Sequence, residues 1–195
     1  MPSTPKIPRE LILEHALQIL IRDGYSALNI TSIAKEIGCS TQPISWHFGN
    51  MDGLRSALSG YARDYAVRKL FRIQEDAVLS FLDLGMNYLD IALLEPNLFR
   101  YIFMNDCGGY VADSIRDFSD VDQNAVITEM LSQQLGIPKE EAGIRVQDLT
   151  VYVHGLASYI STGVVQVSKE EAKAMLLRVG TALFTQSQNN SISGV

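Results

Sequence analysis

The sequence predicts an all-α protein: three short N-terminal helices in a helix-turn-helix arrangement, followed by a larger C-terminal helical domain. Three observations predict it. Apolar residues recur three and four positions apart along the chain, with no sustained period-2 alternation. Glycines, prolines and capping residues cut this pattern into segments of helical length. Two of the shortest segments meet at the tight turn Ile37-Gly38-Cys39-Ser40, the join of a helix-turn-helix pair.

The elements follow in order. After Pro8, residues 9–22 place Ile12, Ala16, Ile19 and Leu20 on one face, and Gly24 is the stop. Asn29 predicts the N-cap of a short helix that turns Ile30, Ile33, Ala34 and Ile37 inward and ends at Gly38. A second short helix opens with a hydroxyl cap, Ser40 or Thr41, and closes at Gly49-Asn50. Pro43 fits its first turn, where the amides lack an intrahelical acceptor. A long helix over about 52–75 starts with Asp52 at its positive end. Further helices are predicted over about 77–94, stopped by Glu95-Pro96, over 97–104, followed by a Gly108-Gly109 break, and over 120–134. Pro138 reads as N1 of a long helix reaching about Thr162, with Glu140 and Glu141 in its first turn. Ser168-Lys169-Glu170-Glu171 is a capping box that opens a last helix to about Thr185. The polar tail 187–195 is predicted disordered. The expected division is 1–52, 53–186 and the tail.

The composition suits this reading. Of 195 residues, 47% are hydrophobic and 19% charged, enough apolar material for a real core. No stretch reads as a signal peptide or a transmembrane span. Cys39 and Cys107 lie far apart without metal-ligand spacing and read as free thiols in a reducing, cytoplasmic setting. The net charge of −6 is unevenly distributed. Residues 1–75 hold 9 Lys+Arg against 7 Asp+Glu, a balance of +2, and residues 76–195 hold 7 against 15, a balance of −8. A mildly basic head on an acidic body suits a protein that touches DNA with one end.

Enzymatic chemistry finds no residue set. The three histidines, His15, His47 and His154, form no H-E-x-x-H or E-x-x-H pair, and nucleophile-elbow, P-loop and dinucleotide glycine patterns are absent. The acidic positions Asp113, Asp117, Asp120 and Asp122 lack calcium-loop spacing and read as a solvated loop. No cofactor, metal or catalytic residue is expected.

The helix after the turn carries the functional signal. Gly38 supplies the left-handed conformation that the turn requires. Thr41, Gln42, Ser45, Trp46 and His47 point outward, while Ile44 and Phe48, four apart, point inward. Gln and Thr read base edges in a major groove; Thr, His and an indole N–H reach phosphate oxygens. The other reading is a purely structural cap. For Trp46 the alternatives are core and surface, and the inward places already taken by Ile44 and Phe48 favour surface. His47 stands between packing and phosphate contact, and Lys35 between proximity to DNA and plain solvation.

The run Ala16…Gly24-Tyr25…Ile33-Ala34-Lys35-Glu36-Ile37-Gly38-Cys39-Ser40…His47-Phe48 resembles the N-terminal signature of the tetracycline-repressor (TetR) family, over about residues 9–58. The resemblance implies an N-terminal DNA-binding domain and a helical ligand-binding and dimerisation domain. It also implies a repressor that binds palindromic operator DNA as a homodimer and is released by a small-molecule effector. The recognition helix corresponds to residues 41–48, with contacts at Thr41, Gln42, Ser45, Trp46 and His47, and Thr31 in the preceding helix. Ser45 stands where the family usually has a phosphate-binding Tyr, Pro43 where Thr is frequent, and Met51 where Lys is common. Few Lys or Arg in residues 1–50 predict few ion pairs with DNA and a shallow salt dependence. The alternative function is a helical small-molecule-binding or adaptor protein that has lost DNA binding.

The body holds an aromatic and Met-rich set that includes Tyr88, Phe99, Phe103, Tyr110 and Tyr159. From the same set, Met86, Tyr101, Met104, Tyr152 and His154 are the candidate effector contacts, with ordinary core as the competing reading. His154-Gly155-Leu156-Ala157 resembles a His-Gly stretch in the regulatory domain of some family members. The last two long helices mix small residues (Gly155, Ala157, Ser158, Gly163, Ala172, Gly180, Ala182) with Leu156, Ile160, Leu176, Val179 and Leu183, as a dimer interface of packed helices requires.

Overall fold

The computed structural model describes residues 7–70, 75–104 and 122–185. They form helices α1 (Arg9–Asp23), α2 (Ile30–Ile37), α3 (Gln42–Phe48), α4 (Met51–Leu70), α5 (Ala77–Leu94), α6 (Pro96–Phe103), α7 (Asp122–Leu135), α8 (Lys139–Ser161) and α9 (Lys169–Thr185). A 3-10 turn, Tyr25–Ala27, follows α1. Among the described residues there is no strand. The all-α expectation is met. Cys107, the Gly108-Gly109 break, Tyr110, Asp113, Asp117, Asp120 and the tail 187–195 lie outside the described residues.

The chain divides into two compact units. One holds α1–α3, nearly all of α4, and α6; the other holds α5 and α7–α9. In the first, α1 packs on α2, α3 and α6. Its buried face is Ile12, Leu13, Ala16, Leu17, Ile19 and Leu20, against Ile33, Ala34 and Ile44. Helices this short do not hold alone in water, so their ends are fixed by local bonds. Asn29 and Ser32 form a reciprocal capping box: the Ser32 amide donates to Asn29 Oδ1 at 2.8 Å and the Asn29 amide to Ser32 Oγ at 3.2 Å. Gly38 ends α2 at φ 77°, ψ 33°, and the next amide, Cys39, returns to Ala34 O at 2.9 Å. A β-carbon would strain this left-handed position.

Some expected ends differ. Thr41 is the N-cap of α3, but its backbone is already helical (φ −71°, ψ −14°) and its side chain accepts no cap bond. A side-chain cap needs the extended backbone that Asn29 has, so the hydroxyl expected to cap α3 stays exposed instead. Pro96 begins α6, one residue before the expected start, since proline at N1 gives up an amide that has no acceptor there. Pro138 is the N-cap residue of α8 rather than N1, with an extended backbone (φ −56°, ψ 143°). The α9 capping box forms as expected: Ser168 N–H donates to Glu171 Oε2 at 3.0 Å and Glu171 N–H to Ser168 Oγ at 3.2 Å. The α5 cap was not visible in sequence. Asp76 Oδ1 accepts the Leu79 amide at 2.8 Å, while Gln134 bonds both Asp76 and the Ala77 amide.

In the second unit α8 packs on α7 and α9. Helices α5 and α9 approach closely at two glycines. A β-carbon on Gly85 would stand 3.1 Å from Leu176 Cδ2, and one on Gly180 2.8 Å from Leu82 Cδ2. Phe81 meets Phe184 edge-on at 6.0 Å between ring centres. By length and composition α5 is apolar enough to cross a membrane, which periodicity alone did not single out. Here Ala77, Phe81, Gly85, Leu89, Ile91 and Ala92 are buried in the protein, and Asp83 and Asp90 interrupt the apolar run. Of the small residues on the last two helices, Ala157, Ala172 and Gly180 are buried within the chain, while Gly163 and Ala182 are exposed.

Candidate nucleic-acid interface

Helix α3 is seven residues long, and its one fully buried side chain is Ile44, 0% exposed. Its opposite face is open. Thr41, Gln42, Ser45, Trp46 and His47 are all exposed, as is Thr31 at the start of α2. Trp46 is 72% exposed, a large aromatic surface left in water. Phe48 is half-buried, and the Arg9 guanidinium carbon lies 5.2 Å from its ring centre.

His47 has a partner the sequence did not reveal. Its Nε2 is 2.9 Å from the main-chain oxygen of Ile7. A carbonyl only accepts, so Nε2 carries the proton and donates. The ring therefore ties α3 to the residues that lead into α1. Two other cations of this unit are engaged in ion pairs. Arg22 bridges both Glu36 oxygens, at 3.0 and 3.2 Å, and also reaches Asp23. Its hydrogen bond holds the Glu36 carboxyl below the usual range. Arg55 pairs with Asp52 at 3.3 Å and stacks over Tyr25. Lys35 is exposed.

The candidate effector contacts are split between the units. Met86, Tyr152 and His154 belong to the second and are half-buried. There Tyr88 Oη lies 2.8 Å from His154 Nδ1. Burial pushes the Tyr88 phenol up and the His154 imidazole down, so both are uncharged near neutral pH. The pair shares one proton between them, the phenol donating to Nδ1 in one imidazole tautomer and Nδ1–H donating to the phenol oxygen in the other. Tyr101 and Met104 belong to the first unit. Tyr101 is 1% exposed, its ring 5.5 Å from that of Tyr25, a core position; Met104 is exposed at the end of α6. The spacing of aromatic and Met residues does not distinguish these two placements, because both are periodic on a helix face. Among the described residues, no group of three or more His, Cys, Asp or Glu side chains is placed to hold a metal ion.

Residues 12–58 match the family model of "Bacterial regulatory proteins, tetR family". No curated protein matches the chain significantly. Among solved structures, the chain is similar to a TetR variant of Acinetobacter baumannii AYE in complex with minocycline, at 17% identity, 93% and 96% coverage of the two chains and a TM-score of 0.58. A TetR-like transcriptional regulator from Rhodococcus sp. RHA1 gives 16% identity, 91% and 98% coverage and a TM-score of 0.60. The Streptomyces coelicolor TetR family protein ActR, in complex with (S)-DNPA, gives 13%, 94% and 100%, and 0.54. These identities bear on the fold alone. The family match covers residues 12–58, and over its length the chain shares the fold of these regulators.

Proposed function

We propose that the chain is a transcriptional repressor that binds palindromic operator DNA as a homodimer and is released when a small-molecule effector binds its body. Residues 1–52 are the DNA-binding part, 53–186 the regulatory and dimerisation part, and the setting is the cytoplasm. The observation that carries this reading is the outward face of α3. At 72% exposed, Trp46 leaves its indole N–H open to a phosphate oxygen. Beside Gln42, Ser45 and Thr41 it forms a face with base-edge and phosphate donors, on a helix short enough to lie in a major groove.

Dimerisation through α8 and α9 is supported by exposed apolar residues at helical spacing: Ile144, Val151 and Tyr159 on α8, Leu177 on α9. A two-fold pairing of that kind sets recognition helices about 34–36 Å apart, one turn of duplex. For the effector, two of the similar structures hold small molecules, minocycline and (S)-DNPA. In this chain Met86, Tyr152 and the Tyr88–His154 pair offer apolar surface with an uncharged polar handle. From α6, Met104 is an exposed candidate, while Tyr101, 1% exposed, presents no surface to an effector.

Fluorescence anisotropy with the promoter fragment beside the protein's own gene tests the reading. Wild type is expected to bind with a nanomolar Kd as a dimer, and a Gln42→Ala/Trp46→Ala variant to lose operator binding while melting as wild type does. Unchanged operator affinity in that variant would remove α3 as the reading element.

A further inference from the structure

Helices α1–α3 have few cations to spend on phosphate. Arg22 is taken by Glu36 and Asp23, and Arg55 by Asp52. Arg9 and Lys35 are left among the described cations of α1–α3. Lys35 is an exposed side chain with nothing to hold it. Arg9 is exposed as well, but it is held: its guanidinium lies 5.2 Å from the centre of the Phe48 ring, within cation–π range. Two residues away, the Ile7 carbonyl accepts from His47 Nε2 at 2.9 Å. The last two residues of α3 thus grip the first residues leading into α1, across about forty positions of sequence. Glu10 and Glu14 are exposed on α1 but lie on a separate stripe, turned about 100° and about 140° around the helix from Arg9. Stacking on an aromatic ring fixes the plane of a guanidinium while leaving its edge donors open to paired oxygens.

We propose that Arg9 is a phosphate-contacting residue of the DNA interface, positioned by the Phe48 ring and by the His47–Ile7 bond. The inference rests on the reading of α3 as a DNA-binding helix. It also gives His47 a role different from the direct phosphate contact that its place in the motif suggests. His47 is a positioning residue: it holds the start of α1 against α3 so that Arg9 lies beside the reading face.

A phosphate contact is independent of base sequence, so the operator need not be known. The probe is a labelled 30-base-pair duplex of arbitrary sequence, titrated at several salt concentrations with wild type, Arg9→Gln, Arg9→Lys, His47→Ala and the Arg9→Gln/His47→Ala double variant. Arg9→Gln is expected to make the plot of log K against log salt shallower by about 0.9 for each phosphate that Arg9 neutralises, and Arg9→Lys to keep most of the slope. His47→Ala is expected to weaken binding in the wild-type background and to have no further effect once Arg9 is Gln. Thermal melts check that each variant is folded, a condition an exposed Arg9 readily meets. A wild-type slope in folded Arg9→Gln overturns the proposal. Equal weakening by His47→Ala in both backgrounds also overturns it, and assigns the phosphate to His47 itself. Failure of wild type to bind any duplex at low salt sinks the DNA-binding reading, and this inference with it.

Discussion

The three short N-terminal helices and the long helices of the second unit keep their shape by different means. In α1–α3 the ends and anchors are specified: Asn29 and Ser32 close one end of α2, Gly38 the other, and Ile44 is the buried anchor of α3, joined by the His47 and Phe48 contacts at its end. With 7 or 8 residues, α2 and α3 have no length to spare, so each side chain reports its role. In the body, α8 and α9 run 23 and 17 residues, and α8 buries a row of Val, Leu and Ala in which a volume-conserving change comes at modest cost. A Met or Tyr there says little about which surface it lines. The contrast teaches that function is readable where short-range geometry leaves few choices, and blurred where a large core tolerates many.

The largest test of this contrast is at Ile44. Ile44→Ala is expected to cost about 2–5 kcal/mol in urea unfolding and to abolish DNA binding. A volume-conserving Leu149→Met change in α8 should cost less than about 1.5 kcal/mol. Comparable costs would mean that the body is as narrowly specified as the head. Next is Gly180→Val, whose β-carbon would stand 2.8 Å from Leu82 Cδ2; about 1–3 kcal/mol of destabilisation is expected, with α3 function intact if the strain stays in the body. The two capping boxes offer a matched pair. Asn29→Ala and Ser168→Ala should each cost about 1 kcal/mol, but only the first should weaken DNA binding, because α2 leads into α3 through the Gly38 turn.

The smallest expected effect is a pH dependence from the body. His154 is held below its ordinary value by burial in the folded protein, so the unfolded chain takes up a proton first. Its contribution is complete above the unfolded value near 6.5 and is lost as pH falls below it. Melting curves between pH 7.5 and 5.5 should show stability declining on acidification, and His154→Gln should flatten that decline. The carboxylates held low by partners, Glu36, Glu129 and Glu171, act at lower pH and separate from it. A decline of the same size in His154→Gln would assign it elsewhere.

By itself the sequence determined the helices, most of their ends and the outward face of α3. Those follow from spacings of three and four residues and from caps within reach of their own backbone. Asn29, Gly38, Ser168 and the Ile44/Trp46 alternation act locally and can be read locally. Only the tertiary structure decided that His47 bonds Ile7, that Tyr88 meets His154, that Gly180 admits Leu82, and that Tyr101 is core packed near Tyr25. These contacts join residues tens of positions apart, and the periodicity of one helix carries no record of which neighbour it meets. Chain connectivity sets what a helix is; burial against distant partners sets what each of its side chains is for.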